Sequence, residues 1–309
     1  MNEEVTLNLN IMNRRTFTKT VAAATVAIPA FRLSSFSTTH PASARNLKKG
    51  VMWGSIAYAK TVQEKFLAAK EAGFDGVEVN SHLDRKEVLE ASRETGLPVA
   101  SVCGALHWKY LLSDPDPKVR EQGIEALRVT IEDAKTYGTD TVLLVPGRVT
   151  ETVSYDECWN RTVAEIKKIL PFAEKSGVTI AIENVWNNFL LSPLEAVRYV
   201  DQFKSKRVGF YFDVGNIVAY GWPEQWIRIL GKRIARVHIK EYSRKIADSQ
   251  GRSAGFKVNL MEGDVNWPAV MKALDEIGYS GWTTIEQPGG NSPEGLKDLC
   301  DRLVKIQGS

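Results

Sequence analysis

Two hydrophobic patterns alternate along the chain from about residue 45 onward. Short runs of apolar and β-branched residues, typical of buried strands, are each followed by a longer stretch with the 3.6-residue period of a helix. The predicted strands cover 50–55, 76–80, 98–104, 141–146, 179–185, 208–214, 234–241 and 282–287. The predicted helices cover 62–71, 85–94, 117–137, 155–175, 193–203, 223–231, 267–277 and 293–306. The pattern therefore predicts eight strand–helix units in succession.

Glycine and proline residues mark the ends of these predicted elements. Gly96 and Gly138 stand where helices should stop, and Pro193 and Pro223 stand near helix starts. Eight such units fit the ~250 residues typical of a (β/α)8 barrel. A doubly wound open sheet is the alternative, but the glycine-rich phosphate turn that it uses after the first strand is absent. We therefore predict an α/β protein with one (β/α)8 TIM barrel domain over residues 45–309.

The first 44 residues differ from the rest of the chain. Arg14 and Arg15 precede Phe17 and a mildly apolar run at 21–30, and small residues at 42–44 close the segment. This order resembles a twin-arginine export signal, and the apolar run of about ten residues is shorter than the ~20 that a membrane-spanning helix needs. The resemblance implies a signal peptide and linker, the twin-arginine translocase as a partner, and a periplasmic or otherwise exported protein. A disordered amphipathic N-terminus is the alternative.

Composition narrows the classes of function. With 43% hydrophobic and 25% charged residues, the chain is neither collagen-like nor wholly disordered. The 40 Lys and Arg nearly balance the 37 Asp and Glu, so nucleic acid is not an expected partner. The three Cys and four His form no CxxC motif or Cys/His cluster for a structural zinc ion. Any metal site must therefore depend mainly on carboxylates.

Ionisable residues stand at the ends of four successive predicted strands, where a barrel of this type carries its chemistry. They are Glu183, Asp213, His238 and Glu286. Any one of them alone would often be a structural salt-bridged group. Three carboxylates around one imidazole would repel each other strongly without a cation, because unpaired buried charge costs several kcal/mol. The set therefore predicts a divalent metal site, and its oxygen-rich donors favour Mn²⁺ or Mg²⁺.

Residues 49–306 resemble the xylose isomerase-like sugar isomerase and epimerase superfamily, also called AP endonuclease family 2. In that superfamily, one metal on a (β/α)8 barrel is held by Glu, Asp, His and Glu from strands 5 to 8, which is the order of the four residues above. The segment 262–267 is similar to a Gly-Asp/Trp stretch of the family. The resemblance implies one divalent metal, with Mn²⁺ favoured over Mg²⁺ and Co²⁺. It also implies that Glu183 and Glu286 are the catalytic base and acid, acting through a metal-bound enediolate.

Several residues near the predicted site are candidate substrate contacts. Arg244 lies six residues after His238, where the ketose 3-epimerases carry an Arg. Two departures from those enzymes speak against a plain free-ketose 3-epimerase: Asn216 stands where they have a His, and Phe189 where they have a Glu. The further candidates lie at strand ends: Lys240, His107, Trp108, Glu78 and Trp186. The long stretch 242–263 is expected to fold over the site as a lid.

The sequence is compatible with four functions, which we rank by how well its residues support them. A divalent-metal sugar isomerase or epimerase acting on an unphosphorylated sugar or keto-glycoside comes first. A metal-dependent lyase or dehydratase that ends in β-elimination on a keto-sugar or 3-keto-glycoside is second. A phosphodiesterase of the endonuclease IV type is third, because that chemistry needs more His residues, and a non-catalytic binding protein is last. The expected partner is a small carbohydrate, and a homo-oligomer is compatible with the sequence.

Overall fold

The structure, a computed structural model, describes residues 45–309, and the predicted signal at 1–44 lies outside them. Eight parallel strands form a closed barrel in which each strand pairs with its neighbours in sequence and β1 also pairs with β8. The strands are β1 Leu47–Met52, β2 Gly76–Asn80, β3 Val99–Cys103, β4 Thr141–Leu144, β5 Thr179–Glu183, β6 Val208–Asp213, β7 Ile234–Ile239 and β8 Gly281–Ile285. The predicted (β/α)8 barrel is therefore confirmed.

Ten α-helices connect and surround the strands within residues 45–309. They are α1 Val62–Ala72, α2 Arg85–Thr95, α3 Pro117–Tyr137, α4 Tyr155–Ser176, α5 Pro193–Asp201, α6 Val214–Val218, α7 Pro223–Leu230, α8 Arg244–Gln250, α9 Trp267–Glu276 and α10 Pro293–Gln307. The sequence pattern did not predict α6 or α8. The β-branched and Gly residues of α6 continue the composition of β6, and α8 lies inside the stretch that was predicted to be a lid.

The first strand differs most from its predicted bounds. It begins at Leu47 rather than at residue 50, and residues Trp53–Ser55 form a 3-10 turn rather than a strand end. Lys48 and Lys49 interrupt the apolar pattern there, because this end of β1 lies at the bottom rim of the barrel, where Lys49 pairs with Asp75 at 2.8 Å. The predicted end of the third helix at Gly138 is correct. The left-handed backbone of Gly138 allows its N–H to donate a hydrogen bond to the C=O of Ala134 at the end of α3.

Two separate apolar cores hold the barrel. A large core lies between the outward faces of the strands and the helices, as the helical periodicity predicts. A small one, called here the inner apolar cluster, lies inside the barrel and consists of Cys103, Leu143, Val145, Ala181 and Tyr211. Among residues 45–309, no helix combines the length and the apolar composition that crossing a membrane requires.

Candidate active site

The structure brings together the four predicted ligand residues at the carboxyl ends of β5 to β8. One donor atom from each of Glu183, Asp213, His238 and Glu286 lies within 4.8 Å of the other three. These residues are called here the four-residue cluster. The Nδ1 atom of His238 lies 3.1 Å from Oε1 of Glu183, 3.0 Å from Oε2 of Glu286 and 4.0 Å from Oδ2 of Asp213. The imidazole therefore presents one nitrogen to three carboxylates.

Asp213 is positioned by the junction between β6 and α6. It is the last residue of the strand and the N-cap of the helix, so its Oδ1 accepts a hydrogen bond of 2.6 Å from the N–H of Asn216. The side-chain amide of Asn184 accepts from the Asp213 N–H at 2.9 Å and donates to its C=O at 2.8 Å. These bonds fix the carboxylate so that its Oδ2 faces the cluster. No role was predicted for Asn184 from the sequence, although it directly follows Glu183.

His238 is held from its other side by Glu78. The Nε2 atom of His238 lies 3.0 Å from Oε1 of Glu78, whose side chain is fully buried. The second oxygen of Glu78 accepts hydrogen bonds from the hydroxyls of Ser101 and Tyr211. Glu78 was expected to contact substrate. In the structure it lies behind the imidazole instead, because it is in the middle of β2, two residues before the strand ends at Asn80.

Lys240 adds a positive charge to the cluster. Its Nζ lies 3.1 Å from Oε1 of Glu286 and 3.7 Å from Oδ2 of Asp213. Burial opposes ionisation of Glu286, but Lys240 and His238 lower its pKa below the usual range. Burial together with Glu286 raises the pKa of Glu183, so the two glutamates have different environments. Lys240 therefore lies close enough to the cluster for both to contact the same bound substrate.

The cluster has the chemistry that a divalent cation requires. Oδ2 of Asp213 and Oε2 of Glu286 are buried and accept no well-aligned hydrogen bond, although Nδ1 of His238 lies 3.0 Å from the Glu286 oxygen, and this arrangement is costly for carboxylate oxygens. Both oxygens lie on the same side as Nδ1 of His238. Three oxygens and one imidazole nitrogen suit Mn²⁺ or Mg²⁺ better than a thiolate-seeking ion. The residues present therefore fit a divalent metal.

Asn216 and Trp186 are joined by a hydrogen bond near the four-residue cluster. The indole N–H of Trp186 donates to the backbone C=O of Asn216 at 2.9 Å, and the Asn216 amide donates to the C=O of Asn184. Both polar groups are therefore occupied by protein in this structure. The ring of Trp186 packs against Phe256 at 4.8 Å between centroids, and Arg252 lies over it at 4.2 Å.

Arg244, His107 and Trp108 lie farther from the ionised groups than expected. The Arg244 guanidinium donates to the carbonyls of Val218, the last residue of α6, and of Gly221 in the turn that follows. Nδ1 of His107 accepts a hydrogen bond of 3.3 Å from the N–H of Val145, and burial lowers its pKa to about 4. Trp108 is 42% exposed at the barrel rim. The structure shows protein partners for Arg244 and His107, and none of these three pairs directly with the four-residue cluster.

The predicted lid is a folded segment that carries α8. Its far end is fastened by Glu241, whose buried carboxylate accepts from the N–H groups of Met261 and Val265 and from the indole of Trp267. Phe256 from this segment lies 5.0 Å from the Lys240 ammonium. A cleft of about 390 Å³ runs from Lys240 and Glu286 past Phe256. The segment thus forms one wall of the cleft, which is the place expected for a substrate.

Comparisons with known proteins agree with this architecture. The Xylose isomerase-like TIM barrel family matches residues 66–306. The putative L-ribulose-5-phosphate 3-epimerase SgbU of Escherichia coli K12 is 28% identical over 257 residues, which cover 78% of this chain and 89% of SgbU. L-ribulose-5-phosphate 3-epimerase UlaE of Salmonella heidelberg is 29% identical over 238 residues, covering 72% and 81%.

Solved structures are similar in fold. The 3-keto-D-glucoside 4-epimerase YcjR from E. coli superposes with a TM-score of 0.71 at 20% identity, covering 85% of this chain and all of YcjR. A D-allulose 3-epimerase from Methylomonas sp. gives a TM-score of 0.70 at 18% identity, covering 84% and 97%. The chain belongs to the xylose isomerase-like TIM barrel family, and it is an enzyme of the sugar isomerase and epimerase class.

Proposed function

We propose that the protein is a divalent-metal-dependent sugar epimerase or isomerase that acts through an enediolate on an unphosphorylated sugar or a keto-glycoside. The observation that carries this proposal is the convergence of three carboxylates on one imidazole nitrogen, with the buried Oδ2 of Asp213 and Oε2 of Glu286 lacking a well-aligned hydrogen bond. A site that only stabilised the fold would pair such oxygens with donors. The expected metal is Mn²⁺, with Mg²⁺ and Co²⁺ as alternatives.

The four-residue cluster would hold the metal, and the remaining steps depend on the side chains around it. When bound, the metal supplies Lewis acidity that favours loss of a proton next to a sugar carbonyl. Glu183 enters the four-residue cluster from β5 and Glu286 from the end of β8, so two carboxylates approach it from different strands, and Glu286 also lines the cleft. One removes the proton from carbon and the other returns a proton to the opposite face, which inverts that carbon. The Lys240 ammonium adds positive charge where the substrate oxygen becomes negative.

The cleft supports a substrate without a phosphate group. Its lining includes Met52, Phe256 and Pro288, and Lys240 is the only cationic residue among those that line it. That ammonium is shared with Glu286, whereas a phosphate dianion is usually bound by several charged donors together. Two of the relatives are named for a phosphorylated sugar and one for a keto-glucoside. The cleft lining favours the second kind of substrate for this chain.

Solvent exchange tests the proposed reaction. The protein, loaded with Mn²⁺, is incubated in D₂O with a panel of free ketoses and 3-keto-glucosides, and the products are followed by mass spectrometry and by NMR after the metal is removed. We expect one deuterium at a single carbon next to the carbonyl, together with the epimer or isomer. Loss of water or of an aglycone would identify the β-eliminating lyase instead. No deuterium with any sugar, and no product, would contradict the enediolate.

We further propose that residues 1–44 direct export by the twin-arginine translocase. The support is the Arg14-Arg15 pair followed by Phe17 and a mildly apolar run. The full chain is expressed in a bacterium that has this translocase, beside a variant with both arginines changed to lysine. We expect the periplasmic fraction to contain the shortened wild-type protein, and the variant to stay in the cytoplasm at full length. Equal export of the two chains would contradict the proposal.

A further inference from the structure

Glu78 has an environment that the proposed reaction does not use. The carboxylate is fully buried, comes from β2 on the other side of the barrel from the ligand strands, and contacts the nitrogen of His238 that points away from the four-residue cluster. A buried carboxylate without donors would be strongly unfavourable. Its place behind the imidazole therefore requires an explanation.

The hydrogen-bond count around Glu78 determines where the imidazole carries its proton. Ser101 lies 2.5 Å from Oε2 of Glu78, and the Tyr211 hydroxyl is bonded to the same oxygen. Each hydroxyl has a single proton to donate. In its ionised form the carboxylate has only acceptor sites. Oε1 must therefore accept from His238, so Nε2 carries a hydrogen and Nδ1 of the neutral ring has the free lone pair.

The support around this contact is rigid. Glu78 and Ser101 are register partners on β2 and β3, and Tyr211 reaches them from β6. The Tyr211 ring also packs on the His238 ring, with 4.3 Å between centroids. A single phenol thus both orients the carboxylate and limits rotation of the imidazole. The four side chains come from four different strands, so the barrel itself sets their distances.

We propose that Glu78 is a positioning residue that fixes the tautomer and orientation of His238, and that Ser101 and Tyr211 hold Glu78 in place. This inference rests on the proposed metal site. Carboxylate partners of metal-binding imidazoles raise the basicity of the ligand nitrogen, and their loss typically costs 10–100-fold in metal affinity. Glu78 therefore acts through His238 and does not touch the substrate.

Metal titration of the metal-free protein tests the inference. We compare wild type with Glu78→Gln, which keeps the shape but removes the charge, and with Tyr211→Phe. The readouts are the dissociation constant for Mn²⁺ by calorimetry and the visible absorption spectrum of the Co²⁺-loaded protein. We expect Mn²⁺ to bind 10–100-fold more weakly to Glu78→Gln, and several-fold more weakly to Tyr211→Phe, with a changed Co²⁺ spectrum in both.

Matched controls come from buried groups outside the barrel interior. Glu165→Gln removes a buried carboxylate that pairs with Arg120 and Lys168, and Tyr199→Phe removes a buried hydroxyl bonded to Thr162. Both should bind Mn²⁺ within twofold of wild type, whatever their thermal stability. Wild-type affinity and spectrum in Tyr211→Phe and in folded Glu78→Gln would overturn the inference and leave the metal site intact. Absence of Mn²⁺ binding to wild type would instead overturn the proposed function.

Discussion

Two parts of the barrel interior have opposite chemistry. The inner apolar cluster includes Cys103, Leu143 and Val145 from β3, β4 and the turn after β4, and its side chains pack against each other. The four-residue cluster comes from β5 to β8 and concentrates three carboxylates around one imidazole. The first side lowers the free energy of the folded chain by burying apolar surface. On the second side, Lys240 and His238 pair with the carboxylates, but burial still raises the pKa values of Glu183 and Asp213, a cost that a bound cation would offset.

The difference indicates which side stabilises the barrel and which side is kept for chemistry. Apolar residues form one wall of the site and lower its effective dielectric constant. Charges on the opposite wall therefore interact more strongly with a bound substrate. Like charges that are buried without partners reduce stability and persist where they serve a function. Substitutions in the β3–β4 part of the inner apolar cluster and in the four-residue cluster should therefore affect different quantities, whereas Tyr211 contacts both.

The largest effect is expected for Glu286→Gln on the charged side. The change keeps the size of the side chain but removes a group able to accept a proton from carbon. We expect kcat to fall about 10²–10⁴-fold while the protein remains folded. Steady-state kinetics and circular dichroism measure the two outcomes. If the variant keeps more than a tenth of wild-type turnover, the two-carboxylate mechanism is wrong.

On the apolar side, Leu143→Ala should affect stability instead. Leu143 is buried in the inner apolar cluster, so the truncation leaves a cavity inside the barrel. We expect the free energy of unfolding to fall by about 2–5 kcal/mol. Urea unfolding measures this change, and a Mn²⁺ titration of the folded variant is the comparison. A loss of metal affinity as large as that of the cluster variants would show that the two sides are not separable.

Asp213→Asn should make the metal-free protein more stable. Burial, with Glu286 and Glu183 nearby, raises the pKa of Asp213 well above its usual range, so the ionised group is unfavourable there. Asn keeps the acceptor for the N–H of Asn216 and removes the carboxyl group whose ionisation burial opposes. We expect a gain of about 1–2 kcal/mol without metal and weaker Mn²⁺ binding. Chemical unfolding of both metal-free proteins checks the sign. A less stable variant would contradict the assigned cost of the carboxylate.

The smallest expected effect concerns His107, which supports the apolar side through the N–H of Val145. Burial lowers its folded pKa to about 4, whereas the unfolded value is about 6.5. The unfolded chain therefore binds the proton more tightly, so this contribution is complete above pH 6.5 and is lost as the pH falls toward 4. Between pH 7 and pH 4.5, we expect the free energy of unfolding of His107→Asn to fall by about 1–2 kcal/mol less than that of wild type. An equal fall in the free energy of unfolding for wild type and His107→Asn between the two pH values would contradict this account.

The sequence predicts the barrel and the four-residue cluster for the same physical reason. Buried parallel strands are almost continuously apolar, so an ionisable residue at a strand end stands out, as Asp213 does after Phe212. The strand order then places such residues side by side. These predictions need only local pattern and topology.

Residues that act through another residue could not be predicted in this way. Ser101 is an ordinary strand residue in the sequence, and only the register of β2 and β3 brings it to Glu78. For Glu78, the sequence pattern does not show whether the residue lies at the end of β2 or in its middle. Tyr211 had one usable signal, because a residue two positions before Asp213 points to the same side of β6. The contacts of Arg244 depend on the unpredicted helix α6.

The most direct measurement is anomalous X-ray diffraction from crystals of residues 45–309 grown with Mn²⁺. The account predicts one strong anomalous peak per chain, in contact with Glu183, Asp213, Glu286 and the Nδ1 atom of His238, and no such peak in crystals of Asp213→Asn grown at the same Mn²⁺ concentration. A peak elsewhere in the barrel, contact through Nε2, or the absence of any peak from wild-type crystals would contradict the claim that this cluster is a metal site.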